Sequence, residues 1–173
     1  MERRALVVID MLRDFVAEEG SLYCGPAASA LVEPVAAEIQ QARREGAPVI
    51  YVCDRHRPDD PEFAMFPPHC VEGTPGAEVV AALAPRPDDR ITAKRRFSGF
   101  FGTDLDLSLR ELEVDRLRLV GVCTNICVLY TAADARMRGY RVEVPADKVA
   151  SFDPEAHRWA LGQMEKVLGV RVL

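Results

Sequence analysis

The sequence has no apolar run approaching the length of a membrane span, so a transmembrane helix is not expected. It also has no surplus of positive charge: 22 lysines and arginines stand against 27 aspartates and glutamates, for a net charge of -5. A nucleic-acid binder needs a basic face to replace counterions, so this balance argues against one. The apolar stretch Leu6 to Ile9 is too short for a secretory signal core, and no cleavage site follows, so a cytoplasmic protein is expected. The five cysteines (Cys24, Cys53, Cys70, Cys123 and Cys127) are an odd set without a C-x-x-C pair. A chain of 173 residues can bury a sizeable core without staples, so a disulfide framework is not expected. Only three histidines occur, which makes their positions informative.

What is present is an alternation of strand and helix patterns in one domain, residues 1–173. Ala5 to Ile9 is a continuous apolar, β-branched run and Val49 to Cys53 a second apolar run, as in parallel strands buried on both faces, and Leu117 to Val122 reads as a further buried strand. Ile91 to Ala93 and Val170 to Leu173 read as short strands. Arg141 to Val144 alternates, as an edge or less buried strand would. Between them lie helical spacings. One has Ser29 as N-cap with Leu31, Val35, Ile39 and Ala42 on one face. One starts at Thr74-Pro75 and runs through Val79, Val80 and Leu83. One is opened by a Thr103-to-Asp106 capping box. One carries Ile126, Leu129, Tyr130, Ala133 and Met137. The last starts at Asp153-Pro154 with Ala156, Ala160, Met164, Val167 and Leu168 inward. The fold class is α/β: a doubly wound, Rossmann-like three-layer sandwich around a six-stranded, mainly parallel sheet.

In such folds ligands bind outside the carboxyl ends of the strands. Those ends carry Asp10, Asp54, Lys94 and, just past the fourth strand, Cys127. Taken alone, Cys127 reads as a small core residue. In the first turn of a helix leaving a strand it is also where the helix dipole stabilises a thiolate. Four reactive groups on one rim favour the chemical reading. Asp10, Lys94 and Cys127 form a sensible triad: Cys127 as nucleophile, Asp10 to carry its proton, and Lys94 to hold both in their charged forms. The backbone N–H groups of Cys123 and Cys127 are candidates for an oxyanion hole.

A second cluster lies in the proline-rich segment Arg55 to Gly73, a loop long enough to suggest function. Asp54 and His56 flank one residue, and Glu62 and His69 follow. A carboxylate with two imidazoles suits zinc or another divalent first-row metal. On spacing alone the two histidines read equally well as ordinary loop residues. His157, on the last helix, reads as solvent-facing or capping.

Several segments carry a resemblance. They are Val7-Val8-Ile9-Asp10 with Asp14-Phe15-Val16, Asp54-Arg55-His56, and the run from Phe66-Pro67-Pro68-His69 to Gly76-Ala77-Glu78. Lys94, Ser98-Gly99-Phe100, Gly102 to Leu105 and the turn from Gly121 to Val128 complete it. Together they resemble the nicotinamidases (pyrazinamidases) among the isochorismatase-like cysteine hydrolases, almost end to end. The resemblance implies hydrolysis of nicotinamide to nicotinate and ammonia, in NAD salvage. It implies Asp10, Lys94 and Cys127 as the catalytic triad. Asp54, His56 and His69 would be metal ligands, with Glu62 as the further carboxylate ligand of one branch. The ion would be zinc, iron or manganese, binding the ring nitrogen of the substrate. The resemblance also implies a non-proline cis peptide at Val122-Cys123, and Phe15, Phe66 and Phe97 as walls of the pyridine pocket. Arg55 stands where many relatives carry an aromatic residue, and Phe66 where some carry tryptophan; both bear on substrate fit, not on the reaction.

Two other readings stay open on the sequence. One is a cysteine amidase of the same superfamily acting on a carbamoyl or ureido substrate. The other is a non-catalytic small-molecule binding protein, which would have no need of a complete Asp/Lys/Cys set. Exposed leucines would permit a homo-oligomer.

Overall fold

The computed structural model describes residues 3–173, so Met1 and Glu2 at the start of the chain lie outside the described residues. Strands β1 (Arg4–Ile9), β2 (Val49–Asp54), β3 (Arg90–Lys94), β4 (Arg116–Val122), β5 (Arg141–Val144), β6 (Val149–Ala150) and β7 (Arg171–Val172) form one sheet. Its order is β3-β2-β1-β4-β5-β7, with β6 paired to β4, and the strand pairings are parallel. Helices α1 (Arg13–Val16), α2 (Pro26–Ala30), α3 (Val32–Arg44), α4 (Leu105–Glu111), α5 (Leu129–Met137) and α6 (Pro154–Lys166) complete the chain. No described helix is long and apolar enough to cross a membrane.

The continuous apolar strands explain the three layers. Along β1, Leu6 and Val8 join a core with Val35 and Ile39 of α3, while Ala5, Val7 and Ile9 join Leu109, Ala132 and Met164 on the other face. Period-two alternation places each set on its own side, and both sides are covered by helices. The order changes direction at β1, between β2 and β4, so the crevice for a ligand opens at the ends of β1, β2 and β4.

Several expectations need correction. The sheet has seven strands, not six. Val149–Ala150 is only two residues long, pairing with Gly121 and Val122, and leaves no periodic signal. β5 is not an edge strand but lies between β4 and β7. Its alternation comes from Glu143, buried with Arg4 (3.9 Å), Arg116 (3.7 Å) and Arg171 (3.5 Å) around it. The expected helix from Thr74 through Leu83 is two 3-10 turns, Pro75–Ala77 and Ala81–Leu83. Between them Glu78 O accepts from Arg13 N–H, and Val80 N–H donates to Met11 O. The backbone groups a helix would use are committed across to Met11–Arg13.

Ser29 lies inside α2 rather than at a cap, and its hydroxyl donates to Val16 O at 2.8 Å. The Thr103 capping box does not form. α4 starts one residue later, and Asp106 accepts from Tyr140 OH at 2.8 Å instead. Asp153 does cap α6, accepting from Glu155 and Ala156 N–H. Val167, expected inward, is exposed because α6 ends at Lys166 and the helical period stops there.

Candidate active site and metal centre

β4 leads into a single π turn, Thr124–Val128, before α5 begins. In a π turn the bonds reach one residue further back, and here Val128 N–H donates to Cys123 O at 3.2 Å. The extra residue rotates the face of α5. Leu129, Ala132 and Ala135 are buried, while Tyr130 and Met137, expected on the inner face, are exposed. The same turn carries Cys127, which is buried. The Val122-Cys123 peptide is cis. Gly121 has φ +116°, and a Cβ there would lie 2.0 Å from Ile9 O. Only glycine lets β4 run this close to β1.

Asp10 leaves β1 with φ +52°, a left-handed conformation that Asp tolerates better than most residues. Its N–H donates to Val52 O, and its Oδ1 accepts from Asp54 N–H at 2.8 Å. Lys94 ends β3 with a side chain wholly out of solvent. Its Nζ lies 2.8 Å from Asp10 Oδ2 and 3.4 Å from Cys127 Sγ, and it also bonds Asp54 Oδ1. The structure thus brings Asp10, Lys94 and Cys127 together, with Asp54 as a fourth member.

The electrostatics follow from that burial. Asp10 is pushed up to about 6 by burial and by the neighbouring Asp54 carboxylate, against the pull of Lys94. Burial also pushes Asp54 up, but Lys94 and His56 outweigh it and its acidity rises. Lys94 loses from burial and gains more from Asp10 and Asp54, so it stays an ammonium. Burial and two carboxylates push the Cys127 thiol up, against the lysine and the helix terminus, which favour the thiolate.

The second cluster adjoins the first through Asp54. While Oδ1 of Asp54 serves Lys94, its Oδ2 lies 3.5 Å from His56 Nε2 and 3.9 Å from His69 Nε2. Glu62 stands slightly outside this triangle, with Oε1 4.0 Å from His56 Nε2. These gaps are too long for good hydrogen bonds. They approach the ~3.0–3.4 Å separations of ligands held about 2.1 Å from one ion. His56 Nε2 is buried and has no hydrogen-bond partner, while His56 Nδ1 meets Asp60 Oδ2 at 3.1 Å and His69 Nδ1 meets Pro67 O at 2.8 Å. Outer contacts of this kind leave the inner nitrogens free to ligate. The donor set fits a divalent first-row metal: Asp54, His56 and His69, with Glu62 beside them.

A cavity of about 380 Å³ opens over both clusters and is lined by Asp10, Asp54, Glu62, His69, Cys123 and Cys127. Phe15, Phe66 and Phe97 line it as well. Phe15 and Phe66 flank His69 with ring centroids 5.5 and 6.2 Å away, and Phe97 meets Phe66 at 6.4 Å. Sequence reasoning missed Cys24, Ile126 and Phe152, which complete the wall. They come from loops and the π turn, with no motif to mark them. It also missed Phe63, which packs edge-on to His56, and Asp60. The Asp60-Pro61 pair is a helix-start signal that could have drawn attention to the latter. His157 is half-buried rather than solvent-facing, and its Nδ1 lies 2.8 Å from Thr124 Oγ1 in the π turn.

The sequence matches the Isochorismatase domain over residues 4–172. A nicotinamidase/pyrazinamidase from Bacillus subtilis has a crystal structure that superposes with a TM-score of 0.94, at 39% identity and 98% coverage of each chain. An N-carbamoylsarcosine amidase from Thermoplasma acidophilum reaches 0.89 at 40% identity, covering 98% of this chain and 95% of that one. A pyrazinamidase of Pyrococcus horikoshii, solved in complex with zinc, reaches 0.92 at 34% identity, covering 99% and 98%. The chain belongs to the isochorismatase family of hydrolases, with nicotinamidases among its similar members.

Proposed function

We propose that this protein is a metal-dependent amidase that hydrolyses nicotinamide to nicotinate and ammonia through a thioester on Cys127, in cytoplasmic NAD salvage. The observation that carries this reading is the Asp54 carboxylate. One oxygen serves the Lys94–Asp10–Cys127 set and the other faces His56 and His69, so nucleophile and metal ligands share one cavity. Asp54, His56, His69 and Glu62 would hold zinc, or iron or manganese. Bound there, the ion supplies a Lewis acid for the ring nitrogen of the substrate.

The chain's own groups carry the reaction. Ionised Asp10 takes the Cys127 proton as the sulfur attacks the carboxamide carbon. Lys94 stabilises the charge that appears on sulfur and on Asp10. The N–H groups of Cys123 and Cys127 receive the oxyanion, a role in which one lost donor costs ~10²–10³ in turnover. Protonated Asp10 returns its proton to the departing nitrogen, which leaves as ammonia. A water then gives its proton to Asp10 and attacks the thioester. The sulfur leaves as thiolate, recovers that proton from Asp10, and frees nicotinic acid, which loses its remaining proton to water or ammonia to give nicotinate.

The likeness to the N-carbamoylsarcosine amidase supports a second reading, a carbamoyl substrate. N-carbamoylsarcosine itself bears a carboxylate, which a basic side chain would pair. Among the described residues no arginine lines the cavity, whose walls are Phe15, Phe66, Phe97, Ile126 and Phe152. A flat neutral ring fits this wall better.

Two tests follow. Stripping the metal with a chelator, or replacing His56 with alanine, is expected to raise KM for nicotinamide at least about tenfold, the loss of a ~1.4 kcal/mol contact. Zinc should restore the stripped enzyme but not the variant. An unchanged KM in metal-free protein would remove the ion from substrate binding. The second test is the pH profile of kcat/KM. Asp10 must be ionised to act as base, and its pKa is raised to about 6. Activity is therefore lost as pH falls through about 6, with unit slope. A profile flat down to pH 4.5 would show that no base with a raised pKa governs the reaction.

A further inference from the structure

Asp60 is buried and takes no part in the reaction described above. Its two carboxylate oxygens are used differently. Oδ1 accepts from Glu62 N–H at 3.0 Å and from Arg96 Nη1 at 3.0 Å. Oδ2 faces a single group, His56 Nδ1, at 3.1 Å. An ionised carboxylate only accepts, so this contact requires the proton on Nδ1. The opposite nitrogen, Nε2, is the buried atom without a hydrogen-bond partner, aimed at Asp54 Oδ2 and Glu62 Oε1. A neutral ring with its proton on Nδ1 presents its lone pair at Nε2, the form a metal ion binds.

We propose that Asp60 is a positioning residue that fixes the tautomer of His56, and that Arg96 holds Asp60 in place for that role. The inference rests on the metal-site reading above. The competing account is that Asp60 only caps the 3-10 turn Pro61–Ala64, whose first free N–H it accepts. Asparagine caps a helix start as well as aspartate does, so Asp60→Asn separates the two roles. The Oδ1 position meets two donors and selects the amide oxygen. The amide NH₂ then falls against His56 Nδ1. A donor there demands a lone pair on Nδ1 and drives the ring proton to Nε2, where it blocks the metal. Asp60→Ser is the companion variant: serine caps equally well but is too short to reach the imidazole.

Two measurements on the full chain test this. Long-range ¹⁵N–¹H spectra of the metal-free protein, in alkaline buffer that keeps the rings neutral, report the tautomer of His56. Competition with a chromophoric chelator reports the zinc Kd. The wild type should show Nδ1–H and Asp60→Asn should show Nε2–H. Zinc should bind about 10–100-fold more weakly to Asp60→Asn, and also more weakly to Asp60→Ser, while unfolding of the metal-free proteins barely shifts. An Asp60→Asn protein that keeps Nδ1–H, or that binds zinc as tightly as the wild type, would overturn the assignment. A wild-type protein that shows the Nδ1–H tautomer but binds no zinc would instead overturn the metal reading.

Discussion

Replacing Cys127 with alanine is expected to lower turnover by at least about 10⁴-fold while leaving the fold in place. The magnitude follows from removing a nucleophile whose partners act only through it. No neighbouring thiol can substitute. The Cys123 thiol is held with Cys24 Sγ, 3.3 Å away, and that contact and burial push it well up. Cys53 is also buried, with its thiol pushed up to about 12 by burial. The fold survives because the change removes one buried sulfur and orphans no charge. Lys94 keeps both Asp10 and Asp54. A cost of about 1 kcal/mol, or ~2–4 °C in Tm for a chain of this size, is expected. Turnover measured beside a thermal melt checks both halves. Substantial remaining activity in a folded variant would refute Cys127 as nucleophile.

Lys94→Met is expected to have the largest effect on stability. The ammonium is fully buried between two buried carboxylates. In the metal-free protein, methionine fills the space of the stem but leaves Asp10 and Asp54 facing each other without the ammonium between them. Breaking a buried pair from one side costs about 3–5 kcal/mol. The pH dependence gives the diagnostic. Without Lys94 both carboxylates have folded pKa values raised above their unfolded ones, so the folded state binds protons more tightly than the unfolded chain. The loss is then full at pH 8 and shrinks as pH falls and the carboxylates protonate. Adding Asp54→Asn to Lys94→Met should recover part of the stability by removing one of the two orphaned charges. Urea melts at pH 8 and pH 5 test this. A penalty below about 1 kcal/mol, or one that grows at low pH, would mean that the lysine does not bear this load.

The rim of the candidate site was legible in the sequence because it depends on strand ends. Continuous apolar runs mark where β1 and β2 stop, and a short run and one interrupted by Arg118 mark the ends of β3 and β4. The residues just past them, Asp10, Asp54, Lys94 and Cys127, must share one edge of a parallel sheet. The two histidines were legible as a pair but not as a site, since nothing local shows that the loop folds His69 back against His56. That approach depends on long-range bonds such as Cys70 N–H to Asp14 Oδ2 at 2.7 Å and His56 N–H to Cys70 O.

What the sequence hid were features with no period. β6 is too short to alternate. The Thr74 to Leu83 stretch has helical spacing, but its backbone groups are spent on Met11 and Arg13. The π turn shifts α5 by one residue and so exposes Tyr130 and Met137. Thiol ionisation was hidden for a different reason. It depends on how completely the site is closed, and composition carries no information about that.

The central claim is that this cavity hydrolyses a pyridine carboxamide at Cys127. Ammonia release from nicotinamide by the purified, zinc-loaded protein tests it most directly. The account predicts steady release matched mole for mole by nicotinate and abolished in Cys127→Ala. No release from nicotinamide, alongside release from a carbamoyl compound such as N-carbamoylsarcosine, would contradict it and assign the site to the other branch of the family.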